Sequence, residues 1–367
     1  MPLPKIDIEF SSGGLGVIRE ITGGSPAIII PITTAPSSHA MGDVKSYSTF
    51  DSLPTEFKTV QALINYFKVA EGVEIFIMPV PTTKTVPLIV DATDTDAYAK
   101  KLIEADDKIR FIGVVGTLLQ ANLATALANA QSLCNGFINK YRYTFALLPY
   151  SFKIADTVTD LTLGSSDRVG VAVSYAGNEI GLLLGKLAVN TVQRNIGRIK
   201  DGALPISAAI VDGYESPALD VKKAMDRVAT LHDKGYITIR TIVGKTGYYF
   251  SDDKLATAPG DYSNITGRRV IDKIAIIAYD VYVNEILDDI QVGTDGKLLP
   301  AYIAYLTGII ENSVNGNMAN ELSGFSVYIN PDQTPLITGK TSITVRALPK
   351  GYNREIDINL GFTSSIS

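Results

Sequence analysis

Four short apolar runs mark the first half of the chain: Glu74–Val80 (EIFIMPV), Arg110–Val115 (RFIGVV), Thr144–Pro149 (TFALLP) and Val169–Tyr175 (VGVAVSY). Runs that are apolar at nearly every position, rather than at every second one, suit strands covered on both faces. Between them the apolar residues recur at steps of three and four. Phe57, Val60, Leu63, Ile64 and Phe67 share one stripe within Thr55–Val69, and Asp96–Ala105 and Leu118–Asn139 are spaced alike. Strand and helix in alternation predict an outer α/β domain with a mostly parallel sheet, assigned to residues 21–215.

Turn residues gather at Asp201-Gly-Ala-Leu-Pro-Ile and Asp212-Gly-Tyr-Glu-Ser-Pro, and predict a boundary near 200–217. Beyond it, 216–350 reads as an α+β domain. The pattern there gives a helix at Ala218–His232, two strands within Tyr236–Phe250, the longest helix at Arg268–Ile290, a helix at Pro300–Asn315, and strands at Gly324–Asn330 and Thr341–Ala347. On the longest helix Val270, Ile274, Ile277, Val281 and Ile286 make the apolar stripe, and Arg268, Arg269, Asp272 and Asp280 lie off it.

The two ends share a period of two. Ile6, Ile8 and Phe10 fall on one face of a strand, and so do Ile356, Ile358, Leu360 and Phe362. Gly13, Gly14 and Gly16 separate the first from the body, and Gly351 the second. Residues 1–20 and 351–367 are therefore expected to be tethered arms. An amphipathic strand with no partner is an aggregation hazard unless it has a destined mate.

Composition narrows the functions. Hydrophobic residues at 46% and charged residues at 19% fit an ordered globular chain. A net charge of -5 supplies no field to hold a polyanion, so nucleic acid is not an expected partner. The one cysteine, Cys134, excludes a disulfide within the chain. The first ten residues lack the apolar core of a signal peptide, and no run approaches the roughly 20 residues that span a bilayer. The greasiest stretch, Gly181-Leu-Leu-Leu-Gly185, is far shorter. Synthesis in a reducing cytoplasm, without membrane insertion, is the expectation.

Chemistry-bearing motifs are weak. Gly244-Lys245-Thr246 has Ile239 where a phosphate loop needs glycine, and Tyr248, Tyr249 and Phe250 continue as strand, so a turn between strands is expected. Gly13-Gly14-Leu15-Gly16 lacks dinucleotide spacing and reads as a linker. His39, His232 and Cys134 make no zinc spacing, and His39 is expected to be solvated or hydrogen-bonded in its loop. The pairs Asp106-Asp107, Asp252-Asp253 and Asp288-Asp289 are expected to be solvated caps. No catalytic residue, metal or cofactor is assigned.

The stretch from Gly235 (GYITIRTIVGKTGYYFSDD), with Tyr262 and Gly267-Arg-Arg-Val-Ile-Asp-Lys-Ile-Ala, resembles the C-terminal half of contractile tail sheath proteins. Leu322-Ser-Gly-Phe-Ser-Val-Tyr-Ile-Asn-Pro, and the run from Ile343 to Phe362, are similar to that family's closing strands. The resemblance is good over 235–362 and at the extreme N-terminus, and thin over 21–215. It implies a structural subunit, not an enzyme, in a phage tail or a tail-like particle made in a bacterial host. Its partners would be copies of itself in stacked hexameric rings, a tail tube, and baseplate and tail terminator proteins. The terminal arms would complete sheets in neighbouring subunits. Arg268, Arg269, Asp272 and Lys273, at the start of the long helix, are candidates to face the tube. Two alternatives stay open: an α/β enzyme or ligand-binding protein with its site after the strands at 74–80, 110–115 and 144–149, or another tail component.

Overall fold

The computed structural model describes residues 23–151, 157–175, 179–210, 220–358 and 360–362. In chain order its strands begin with β1 (Ser25–Ile32), β2 (Lys45–Tyr47), β3 (Ile75–Pro81), β4 (Ile109–Val114), β5 (Phe145–Tyr150), the short β6 (Ser165–Ser166) and β7 (Val169–Val173). All but β6 join one six-stranded sheet, in the order β2-β3-β1-β4-β5-β7. Every pairing in it is parallel except that of β2 with β3. Consecutive residues of β3, β5 and β7 are alike buried, although they point to opposite faces, so helices cover both sides. The expected α/β domain with a mostly parallel sheet is what forms.

Helices α1 (Gln61–Ala70), α2 (Val86–Ile89), α3 (Tyr98–Ala105) and α4 (Gln120–Ile138) fill the crossovers, and α5 (Glu179–Val189) follows β7. Cys134 is buried in α4. The glycines of the greasy stretch explain themselves in α5. A Cβ on Gly181 would stand 1.9 Å from the Ala62 carbonyl oxygen, and one on Gly185 would stand 2.9 Å from Val69 Cβ. They let α5 lie almost backbone to backbone against α1, with Leu182, Leu183, Leu184 and Leu187 wholly buried.

The chain continues through α6 (Met225–Asp233), β8 (Ile239–Arg240), β9 (Tyr249–Phe250) and β10 (Ala256–Thr257). β8 and β9 pair antiparallel, and Gly244 turns between them at φ 77°, so Gly244-Lys-Thr-Gly is the expected turn. Ile237 extends the sheet past β7: its N–H donates to Val171 O at 2.8 Å, and its carbonyl accepts from Val173 N at 2.9 Å. One buried cluster therefore runs from Ala27 to Ile265, and the boundary expected near 200–217 falls inside it.

The remaining elements are α7 (Ile265–Tyr282), α8 (Pro300–Met318), β11 (Leu322–Ile329), α9 (Pro335–Thr338) and β12 (Ile343–Pro349). Val270, Ile274 and Ile277 of α7 pack on Ile310, Val314 and Met318 of α8 in a second, smaller core. Asn264 caps α7, its side-chain oxygen accepting from Gly267 N at 2.7 Å. A 3-10 turn at Val283–Glu285 ends the helix short of the expected Ile290. With 18 residues α7 is not the longest helix, since α4 and α8 have 19 each.

Candidate assembly site

β11 and β12 form a sheet of only two strands, packed on α7 and α8 through Phe325, Val327, Val345 and Ala347. Both outer edges of this hairpin lack a strand partner among the described residues. A two-stranded ribbon is marginal in water, and its open edges are templates for further strands.

The C-terminal arm leaves from the end of β12. Its root is fastened to the body: the Tyr352 hydroxyl donates to Thr266 Oγ1, and Arg354 Nε donates to Asp252 Oδ2 at 2.9 Å. Past Arg354 the arm makes no ladder among the described residues, and its apolar side chains stand in solvent. Ile356 is 72%, Ile358 73%, Leu360 92% and Phe362 110% exposed. Gly351 is open, with nothing within 4 Å of the place a Cβ would take, yet it lies upstream of the fastened residues. Ile6, Ile8, Phe10, Gly13, Gly14 and Gly16 lie outside the described residues.

The carboxylates beneath the root are buried, which corrects the expectation of solvated caps for Asp252-Asp253. Asn195 Nδ2 donates to Asp252 Oδ1 and to Asp253 Oδ1, each at 2.6 Å. Asp253 Oδ2 accepts from the Thr266 N–H at 2.8 Å and from its hydroxyl at 2.6 Å. Burial, then the charge of Asp252, raises the Asp253 carboxyl to about 8. Burial also acts to raise Asp252, but hydrogen bonds from Arg354, Asp253 and Asn195 outweigh it and hold that carboxyl low. Arg354 is thus the counter-charge of a two-carboxylate nest. No local pattern in the sequence marks this root, because Thr266 and Asp252, which hold it, lie 86 and 102 residues before Tyr352 and Arg354. The other acidic pairs, Asp106-Asp107 and Asp288-Asp289, lie at or near the surface. Of the two alternatives expected for His39, the hydrogen-bonded one holds: it is wholly buried, with ring nitrogens 3.1 Å from Tyr47 Oη and 3.0 Å from Asp43 O.

The candidate tube-facing residues are turned inward. Arg268, Arg269, Asp272 and Lys273 are all buried within the chain, in a seam between the two cores. Arg168, just before β7, grips Asp272. Arg268 pairs with Asp167 and lies over the Tyr262 ring at 4.3 Å. Lys273 Nζ meets Glu321 Oε2 at 2.8 Å. Arg269 donates to Asn190 O at 3.3 Å and lies over Phe111, and burial pushes its guanidinium down to about 10. Arg268, Arg269 and Asp272 join the smaller core to the sheet side, with partners 101, 79 and 104 residues away in sequence, and the partner of Lys273 is 48 residues away, where no local period reveals any of them.

The fold is similar to those of contractile sheath and baseplate components. Over 100% of this chain it superposes on a component of the anti-feeding prophage baseplate at a TM-score of 0.60 and 14% identity, covering 100% of that chain. The helical sheath of the same prophage in its contracted state matches at 0.61 and 14%, with 100% of both chains covered. The contracted sheath complex PVC of an extracellular contractile injection system matches at 0.61 and 11%, covering 100% of this chain and 98% of that one. No curated protein matches. The chain belongs to the DUF2586 family: its residues 3–254 match that family's N-terminal domain, and 261–367 its C-terminal domain.

Proposed function

We propose that this chain is the repeating structural subunit of a contractile sheath, assembled as stacked hexameric rings around a tail tube. Its arm adds a strand to the hairpin of a neighbouring copy. The observation that carries this reading is the alternation Ile356, Ile358, Leu360, Phe362 in solvent, beside a two-stranded hairpin with open edges in the same chain. Strand addition satisfies the arm's backbone and buries its apolar face. Four such side chains supply about 6–12 kcal/mol gross, before ordering entropy is subtracted.

The fastened root moves the pivot from Gly351 to the bonds after Arg354. Bodies then rotate during contraction while exchanged arms stay paired, and the work comes from the difference between two sets of body interfaces. In this reading the chain carries no catalytic function or cofactor. Its partners are copies of itself, the tube, and the baseplate and terminator proteins of the tail, whether phage or injection particle. Deletion of residues 355–367 tests it: the product should be a folded monomer that forms no tubes by electron microscopy. Normal striated tubes from the truncated chain would refute it.

A further inference from the structure

A cleft of about 700 Å³ opens beside the root of the arm, lined by Arg194, Arg198, Lys200, Arg240, Lys350 and Arg354. Two carboxylates answer these six cations. Asp201 meets Arg198 at 2.7 Å and Arg194 at 3.9 Å, and Asp252 meets Arg354 at 2.9 Å. Arg240 Nε is buried with no hydrogen-bond partner among the described residues. A concave surface with surplus cations, on a chain whose net charge is -5, focuses a field of the opposite sign to the whole.

The complement lies at the other end of α7. Residues 286–290 read Ile-Leu-Asp-Asp-Ile, with Ile286 67%, Leu287 101% and Ile290 36% exposed, and both aspartates are exposed as well. Leu287 holds φ at 66°, a left-handed conformation that disfavours a branched side chain, with nothing covering it. Loop and cleft are kept apart within one chain. Thr266, which holds the root, is in the first turn of α7, and the loop follows its last turn, so 18 residues at about 1.5 Å each separate them by about 27 Å.

We infer that the cationic cleft receives the acidic loop 286–290 of a second copy, an inference that rests on the sheath reading. Asp288 and Asp289 enter among Lys200, Arg240 and Lys350, and Ile286 and Leu287 cover the rim. In the sheath reading the contact runs one way, the loop of one copy into the cleft of the next, so it is heterologous and its repetition builds a ring or an open helix.

A charge swap tests it in the full chain. Lys200→Glu with Lys350→Glu, and separately Asp288→Lys with Asp289→Lys, change only exposed side chains, and circular dichroism checks that each variant folds. Each pair should raise the concentration needed for tube assembly at least about tenfold, and the four changes together should return it to within about threefold of the parent. A water-soluble carbodiimide should join Lys200 or Lys350 to Asp288 or Asp289 between copies in assembled protein. Unchanged assembly in either pair, no recovery in the combined variant, or no such crosslink overturns the inference. So does retention of a labelled oligonucleotide that is lost in the lysine variant while assembly stays normal, which would assign the cleft to nucleic acid. If the arm deletion abolishes tubes and both charge pairs do not, the cleft assignment alone falls.

Discussion

Arg168 and Asp272 face each other across 104 residues of sequence with two parallel hydrogen bonds, Nη1 to Oδ2 and Nη2 to Oδ1, each 2.8 Å long. Arg168 also donates to Thr144 O at 3.0 Å, so its guanidinium ties the start of β7 to the sheet's neighbouring loop and to α7 at once. Both side chains are nearly shut off from solvent. Removing one leaves the other charged and dry, and Arg168→Ala or Asp272→Ala should each cost about 3–5 kcal/mol in urea unfolding at neutral pH. Replacing both, as Arg168→Met with Asp272→Leu, should cost less than either single change. Additive losses in the double variant would show that the pair is not the unit that matters.

The Asp252-Asp253 nest gives a pH dependence whose sign follows from the raised carboxyl. Asp253 keeps its proton in the folded chain up to about 8, because burial and the neighbouring Asp252 charge oppose ionisation, while the unfolded chain releases it near 3.8. The folded state therefore binds the extra proton between those values, and its advantage is complete below about pH 4 and lost as pH rises towards 8. Asp252 works in the opposite sense, its low carboxyl favouring the fold above the ordinary carboxylate range. Asp253→Asn, which cannot ionise, should flatten the fall of Tm between pH 5 and 9 relative to the parent. An unchanged slope in thermal unfolding would locate the pH dependence elsewhere.

What the sequence reveals and what it hides divide along a physical line. The four apolar runs place their strands to within two residues, because a strand buried on both faces needs no partner to declare its composition. β1 goes unnoticed despite its central place, since Pro26 and Pro31 within SPAIIIPI argue against an interior strand until one sees that they lie near its two ends. α5 is hidden for the opposite reason: apolar on every side, it has no period to read. The candidate site follows the same rule. The alternation of the arm is local and legible, whereas the inward turn of Arg268, Arg269, Asp272 and Lys273 depends on partners such as Arg168 and Glu321 that only the fold brings near.

Gly181 is the sharpest test of the packing between α1 and α5. Its missing Cβ would sit 1.9 Å from the Ala62 carbonyl oxygen and 2.8 Å from Ala62 Cα, so backbone rather than a flexible side chain would have to give way. Gly181→Ala should destabilise by at least about 1–3 kcal/mol, the usual cost of overfilling a tight core, despite alanine's better helix propensity. Gly308 on α8, half-buried but with nothing within 4 Å of a Cβ, is the control: Gly308→Ala should be neutral or stabilising by up to about 1 kcal/mol. Equal effects at the two sites in denaturant unfolding would contradict the close approach.

In the proposed sheath, the root of the arm would set where bending occurs, and Arg354 would decide it. Its side chain is half exposed while Asp252 is almost enclosed, so the pair's own strength is that of a screened surface contact, about 0.5–1 kcal/mol. Tyr352 adds a neutral hydrogen bond to Thr266, in the same small range. Neither bond alone holds the root, but together they keep residues 352–354 on the body while the segment beyond is free to find a neighbour. Arg354→Ala combined with Tyr352→Phe should therefore leave the core intact and speed amide exchange at 352–354 about tenfold, with Tm lowered only slightly. If the chain assembles as proposed, the same variant lengthens the free tether by three residues, and shorter, irregular tubes are the expected product. Unaltered exchange at 352–354 would mean that the arm is held by something other than these two side chains, and the pivot would then return to Gly351.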